Sequence, residues 1–327
     1  MELRKDPITR SWVVIGHPPD KEVRLPSGCP FCPGHENDQQ TLWAQPASGP
    51  WQVRVIPHLD PLYHIEGEVA REAEGIYDRM GALGAHEIIV ETPHHDLQLP
   101  RMSDEQIDQV LTAYAQRIAD LKRDNRFKYV TISKDQGTVA GEDWPHAHSQ
   151  VMATTFVPRR ILYELRSARA WYQEKERCVF CDIVHQEEKR GSRIVDSQGD
   201  YVALCPYASR VPYEIWLLRR KHNHLFEQPR PGSNRRHLAS LLGRVLRRVG
   251  KVAQGFHMVV HTAPNTAHSK GELSEYWTTL AEDYHWHVEI LPLVPASGKS
   301  YKLKEIYLNP LEPELAAERL RQADPAL

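Results

Sequence analysis

No stretch of the 327 residues approaches the ~18 consecutive apolar side chains of a bilayer-spanning helix, so no membrane-embedded role is expected. The opening residues, MELRKDPITRSW, lack the apolar core of a secretory signal, which makes a cytoplasmic location the default expectation. Positive charge is not in excess. Lysine and arginine number 41 against 43 acidic residues, the net charge is -2, and no arginine-clustered tail occurs. Such a chain has no bulk attraction to nucleic acid or an anionic membrane, and neither is expected as a partner. Cysteine is scarce at five residues, which excludes a disulfide-dense scaffold.

Four of those cysteines nevertheless stand in two C-x-x-C pairs, Cys29 and Cys32 in CPFC and Cys178 and Cys181 in CVFC. In a cytosolic chain this spacing points to metal or redox chemistry. Cys205, alone in YVALCPYA, reads as a small buried residue. Histidine is abundant, with 18 residues, several in pairs. The apolar content of 41% and charged content of 26% fit a globular chain, and the length suggests about two domains.

Two widely spaced copies of one pattern prompt a search for duplication. HEIIVETPHH (86–95) aligns without a gap to YEIWLLRRKH (213–222), setting Glu87 against Glu214 and His95 against His222. Each stretch leads into a helical pattern, the first with Ser103 as its expected N-cap. FKYVTISKD then matches FHMVVHTAP, and HAHSQV (146–151) matches HWHVEI (285–290). Matches in the same order define a duplication: C-x-x-C on a tight turn, strand, strand ending in histidine, helix, strand, and an H-x-H strand. The β-branched strands lack crossover helices between them. The expected class is therefore α+β, with antiparallel sheets and helices packed on one face. The division falls near residue 172, giving domains 1–172 and 173–327. EQPRPGSN reads as a loop and EPELAAERLRQ as a final short helix.

The duplication also chooses metal ligands from the many histidines. It selects Cys29, Cys32, His95 and His146 in one half, and Cys178, Cys181, His222 and His285 in the other. Four thiolate and imidazole ligands suit Zn²⁺ and leave no open position, so two structural zinc sites are expected. The competing reading is buried thiols beside satisfied core histidines. His94 and His224 have no counterparts in the repeat and read as spectators.

With His146 assigned to metal, its strand neighbour His148 is free for chemistry. A neutral imidazole can attack phosphorus and split one hard transfer into two easier steps. Gln150 shares the strand face with His148 and supplies an amide donor for a charged phosphoryl group. His287, the internal counterpart of His148, is followed by Glu289, which repels phosphate; it reads as a structural or metal-side histidine.

AGEDWPHAHSQV resembles the H-P-H-x-Q element of the galactose-1-phosphate uridylyltransferase family, in the histidine triad superfamily. RKDPITRSWVVI, CPFCPGHE, WQVRVIP, CVFCDIV, PYEIWLL, HWHVEILP and IYLNPLEPE carry the resemblance along nearly the whole chain. It implies two histidine-triad-like domains with half-barrel sheets, a homodimer, and a ping-pong reaction on a nucleotide sugar. His148 would become nucleotidylated, Gln150 would stabilise that intermediate, and the backbone carbonyl of His146 would orient the ring. The acceptor would be a sugar phosphate or phosphate. The second cysteine pair resembles the branch of the plant ADP-glucose phosphorylase, which has two zinc sites. Other members hold iron on one glutamate and three histidines, at positions matching Glu164, His261, His285 and His287; Cys178 and Cys181 favour zinc here. Substrate-contacting positions of the family fall on His58, Asp135, Asp143, Arg24, Lys302 and Lys304. Several of these depart from the family's residue type. Asp143 replaces a serine and Lys302 a glutamate, so a changed donor or acceptor is expected. One alternative is a nucleotide-sugar phosphorylase or hydrolase, with phosphate or water as acceptor; the other is a silent zinc-stabilised binding protein.

Overall fold

The computed structural model describes residues 1–16, 28–36, 40–228, 234–267, 274–295 and 306–326. Among these, β1 (Glu2–Lys5), β2 (Trp12–Ile15), β5 (Glu72–Glu74) and β6 (Tyr77–Gly81) make a small antiparallel sheet. Ten strands make the main one. The first half of the chain supplies β3 (Trp43–Gln45), β4 (Val53–Pro57), β7 (Gly84–Val90), β8 (Tyr129–Gln136) and β9 (His148–Thr154). The second half supplies β10 (Ile194–Gln198), β11 (Tyr201–Leu204), β12 (Ile215–Arg219), β13 (Gly255–His261) and β14 (His287–Leu293).

Their spatial order is β3-β4-β7-β9-β8-β13-β14-β12-β11-β10, every neighbouring pair antiparallel. The order is a palindrome about the β8–β13 pairing. Each half contributes five strands in the same sequence from rim to centre. Gly255 lies at that junction, where an added Cβ would fall 2.3 Å from the Gln136 carbonyl oxygen, so the approach needs a residue without a side chain.

The helices repeat as well. α1 (Asp104–Leu121) joins β7 to β8, and α4 (Arg235–Val252) joins β12 to β13. Ser103 caps α1 in a reciprocal capping box with Gln106, which satisfies donors that helix geometry leaves orphaned. Both helices turn an apolar stripe onto one face of the sheet. Ile107, Leu111 and Ile118 of α1 and Leu238, Leu242 and Val245 of α4 enter one core with Val55, Ile89, Val151, Leu217, Val288 and Ile290. Cys205 is fully buried there, and burial pushes its thiol up to about 12.

The opposite face is not symmetric. α2 (Arg159–Lys175) and α3 (Val179–Arg190) cover it in the second half, where Ile161, Leu165 and Phe180 pack on Val202, Leu204 and Leu218. Residue 172, at the expected division, lies inside α2. Short α5 (Ser274–Trp277) and α6 (Leu280–Asp283) extend this cover, and α7 (Pro313–Gln322) packs near α4. The corresponding face of the first half carries a smaller cluster of Phe31, Trp51, Ile56, Ile88 and Val90. The cysteine pairs differ too: Cys29 and Cys32 sit on a turn, whereas Cys178 is the N-cap of α3 and Cys181 lies in its first turn.

The ungapped match of Glu87 to Glu214 does not survive in the sheet register. Val90 and Ile88 lie opposite His148 and Gln150, whereas Leu218 and Trp216 lie opposite His287 and Glu289. Ile88 therefore corresponds to Trp216, and His86, not Glu87, to Glu214. A one-residue slip reverses faces. Glu87 accordingly meets Arg117 of α1 at 2.7 Å, while Glu214 accepts from the Trp216 indole N–H at 3.3 Å on the other face.

Candidate active site and metal centres

Strand alternation points His148 and Gln150 of β9 away from α1. The His148 Nδ1 lies 2.8 Å from the backbone carbonyl of His146. A carbonyl only accepts, so Nδ1–H donates and Nε2 keeps its lone pair. Phe31 and Trp144 flank the ring, each with its centroid 5.6 Å away. Burial, then Lys134, pushes the His148 pKa down.

Behind the strand, on the helix face, lies a buried polar network. The Lys134 ammonium donates to the His148 carbonyl at 3.0 Å and to Glu91 at 2.9 Å. Ser149 donates to the other Glu91 oxygen at 2.5 Å, and Tyr114 of α1 reaches both residues. All four are nearly inaccessible, and the sequence reading missed them. Their signal was a lysine on a strand position where alternation requires a core side chain. The sheet register sets Val260 and Val288 of the second half at the places of Lys134 and Ser149.

Two groups of side chains place ligand atoms within 4.8 Å of one another: Cys29, Cys32, His95 and His146, and Cys178, Cys181, His222 and His285. Both could hold a metal ion. The Sγ···Nδ1 separations are 3.5 Å for Cys29–His146 and Cys32–His95, 3.6 Å for Cys32–His146, and 3.4 and 3.5 Å from Cys181 to His222 and His285. Tetrahedral Zn²⁺ with ~2.3 Å sulfur and ~2.0 Å nitrogen bonds requires an edge of about 3.5 Å, so the residues fit that ion. His146 Nε2–H donates to the Thr92 carbonyl at 2.7 Å and His222 Nε2–H to Ala281 at 2.8 Å. These contacts leave each Nδ1 lone pair facing the thiols. Hydrogen bonds from Cys178, His222 and His285 push the Cys181 thiol well down, toward the thiolate that a metal takes.

Glu164, His261 and His287 form a third group. His285 joins the cysteines instead, so the glutamate-and-three-histidine set is divided between two clusters. Burial opposes the charge on Glu164, but His261 at 3.0 Å holds its pKa at about 2. His287 repeats the His148 geometry, its Nδ1 3.2 Å from the His285 carbonyl, but its ring is fully buried. Phe180 stacks on it at 5.1 Å, as Phe31 lies by His148. Glu289 is clamped by Arg210 and the Trp216 N–H. His94 and His224 enter none of the three groups.

Among the substrate-contact expectations, Asp143 accepts from Gln150 Nε2 at 3.1 Å. Asp135, on the His148 face of the sheet, is paired with His257 at 2.5 Å. His58 stacks on His86 with centroids 3.8 Å apart and 9° between planes. Its Nδ1 accepts from the Asp60 N–H at 3.1 Å, and its buried Nε2 has no hydrogen-bond partner among the described residues. Arg24, Lys302 and Lys304 lie outside the described residues. The sequence reading also missed His86, which reaches Gln150.

The duplicated antiparallel fold thus presents a histidine with an unprotonated Nε2 on the same strand face as an amide, a nucleophile type beside a donor for a charged group. Residues 17–158 match the family model described as galactose-1-phosphate uridyl transferase, N-terminal domain. ADP-glucose phosphorylase of Arabidopsis thaliana is 28% identical over 98% of this chain and 92% of its own length. Galactose-1-phosphate uridylyltransferase of Thermotoga maritima is 26% identical over 99% of both. A solved uridylyltransferase superposes with TM-score 0.82 at 25% identity, covering 99% of this chain and 98% of that one. The Arabidopsis thaliana ADP-glucose phosphorylase with bound ADP-glucose superposes with TM-score 0.76 at 26% identity, covering 99% and 100%. Along nearly its whole length the chain is similar to galactose-1-phosphate uridylyltransferases, which are nucleotidyltransferase enzymes. Among the described residues no helix is long and apolar enough to cross a membrane.

Proposed function

We propose that the chain moves a nucleoside monophosphate from a nucleotide sugar to a phosphorylated acceptor by way of nucleotidyl-His148. Nε2 attacks the α-phosphorus, the P–O bond to the leaving sugar phosphate breaks, and an acceptor phosphate oxygen later displaces the imidazole. The observation that carries this reading is the His148 ring held through Nδ1–H on the His146 carbonyl, with Nε2 unprotonated and Gln150 on the same face. Gln150 would donate to the phosphoryl oxygens. Zinc is the proposed ion at both cysteine–histidine groups. It would supply rigidity: at the first site it would fix His146, whose carbonyl orients the nucleophile. His58 and Asp135 would border the nucleotide, and Arg24, Lys302 and Lys304 are proposed anion contacts. Division into domains 1–172 and 173–327, a homodimer and a cytoplasmic location complete the proposal.

A second reading takes inorganic phosphate as acceptor. The similarity to ADP-glucose phosphorylase along nearly the whole chain supports it. One experiment addresses both. Intact-mass measurement after mixing with UDP-, ADP- and GDP-sugars should show one nucleotidyl group, absent in His148→Ala. Supplying the adduct with phosphate or with a hexose 1-phosphate then identifies the acceptor by product. No adduct and no turnover with any donor would overturn the proposal and favour a silent binding protein.

A further inference from the structure

An amide can serve a phosphoryl group only if its NH₂ end faces the substrate. We infer that His86 sets that choice, as a positioning residue for Gln150; the inference rests on the nucleotidyl-His148 reading. The argument is one of donors and acceptors. The Leu62 backbone N–H points at His86 Nδ1 from 3.1 Å. A backbone N–H only donates, so Nδ1 carries the lone pair and the ring proton resides on Nε2. That Nε2 lies 3.1 Å from Gln150 Oε1, and its N–H donates there. The amide is thereby held with Oε1 toward His86 and its NH₂ toward Asp143, which accepts at 3.1 Å.

Turning the amide over would fail at both ends. Its NH₂ would face the His86 N–H, and its oxygen would face the Asp143 carboxylate. Two hydrogen bonds would become two repulsions. The ring itself cannot turn freely, because it is 6% exposed and stacked on His58. Burial and His58 both disfavour a proton on Nδ1, which keeps the Leu62 acceptor intact. His86 thus ties the loop after β4, strand β7 and strand β9 into one chain of donors ending at the amide. The second half lacks this device. Glu214 stands at the matching position, and Arg210 bridges Glu214 and Glu289.

The test is a double-mutant cycle on the full chain. His86→Phe keeps a ring on His58 and removes the donor. It should slow nucleotidylation of His148 by about 10- to 100-fold while changing the half-saturating nucleotide-sugar concentration by less than about threefold. In a Gln150→Ala background, His86→Phe should have no further effect on that rate. Multiplying effects would show that His86 acts through the fold at large and would overturn the inference. Heteronuclear NMR supplies a measurement independent of turnover. The His86 ring should be protonated on Nε2, with that proton protected from exchange in the wild type and exposed in Gln150→Ala. A ring protonated on Nδ1, or protection indifferent to Gln150, overturns the positioning role even if the enzyme is active. A wild type that forms no adduct overturns the nucleotidyl-His148 reading instead, and the NMR result then decides the His86–Gln150 arrangement separately.

Discussion

The two halves of the sheet hold the same histidine in the same pose and surround it differently. His148 and His287 each donate Nδ1–H to the carbonyl two residues back, beside a phenylalanine from a C-x-F-C element. What separates them is the neighbour two residues on and the cover above. Gln150 is a neutral amide beside the smaller cluster; Glu289 is a carboxylate locked to Arg210 beneath α2 and α3. The comparison teaches that the imidazole pose belongs to the fold, while the charge and the cover around it are set separately in each half.

The strongest way to break this comparison is to exchange its two centres. His148→Ala should lower transfer by about 10³-fold or more, whereas His287→Ala should leave the adduct stoichiometric. Intact mass with and without the acceptor reads both, and loss of the adduct in His287→Ala would contradict the division of labour. Next comes the buried network that only the first half possesses. Lys134→Met leaves the Glu91 carboxylate buried without its cation and should cost about 3–5 kcal/mol in chemical denaturation; Lys134→Met with Glu91→Gln should recover part of it. The metal groups distinguish the halves differently. Cys29→Ser and Cys178→Ser should each remove one zinc per chain and lower stability in chemical denaturation. Only Cys29→Ser should also slow transfer, because His146 carries the carbonyl that orients His148. Metal analysis with parallel rate assays checks this.

Smaller effects sharpen the first half alone. Asp143→Asn removes a negative charge beside the proposed phosphoryl position, and should tighten nucleotide-sugar binding by about 1 kcal/mol in calorimetry. Acid gives the least. Burial holds His58 and His86 neutral in the native state, each pushed down to about 4. The unfolded chain takes up these protons near the ordinary histidine value of about 6.5. Stability therefore falls as pH drops from 6.5 toward 4, by a fraction of a kcal/mol per histidine between about pH 7 and 6. The difference between wild-type and His86→Phe denaturation curves over that interval isolates one contribution.

Much of this arrangement was legible because the chain states it twice. Out of five cysteines and eighteen histidines, matching positions picked the eight residues that cluster in two groups able to hold a metal ion, and the H-x-H strand separated His146 from His148. What escaped was whatever the two copies do not share. An ungapped alignment cannot register a slip, so Glu87 and Glu214 were matched although they face opposite sides of the sheet. His86 was hidden by the same error, since its true counterpart is Glu214. The Lys134, Glu91, Tyr114 and Ser149 network joins side chains from two strands, the residue just after β7 and a helix, and no spacing rule connects them. The second helical layer was also invisible, because the amphipathic pattern of α2 says that it packs, not on which face.

Among the described residues, the β8–β13 seam is the one pairing that joins the two five-strand halves of the sheet. Split there, each half would end in a long strand with an unpaired edge, and such edges pair with whatever strand they meet. The partner best matched to that edge is a second copy of the same half, related by the twofold that the palindrome preserves. The polypeptide thus has the form of a homodimer whose subunits became one chain. Within one chain the two halves need not be identical: one sets an amide beside its histidine, and the other a carboxylate held by Arg210.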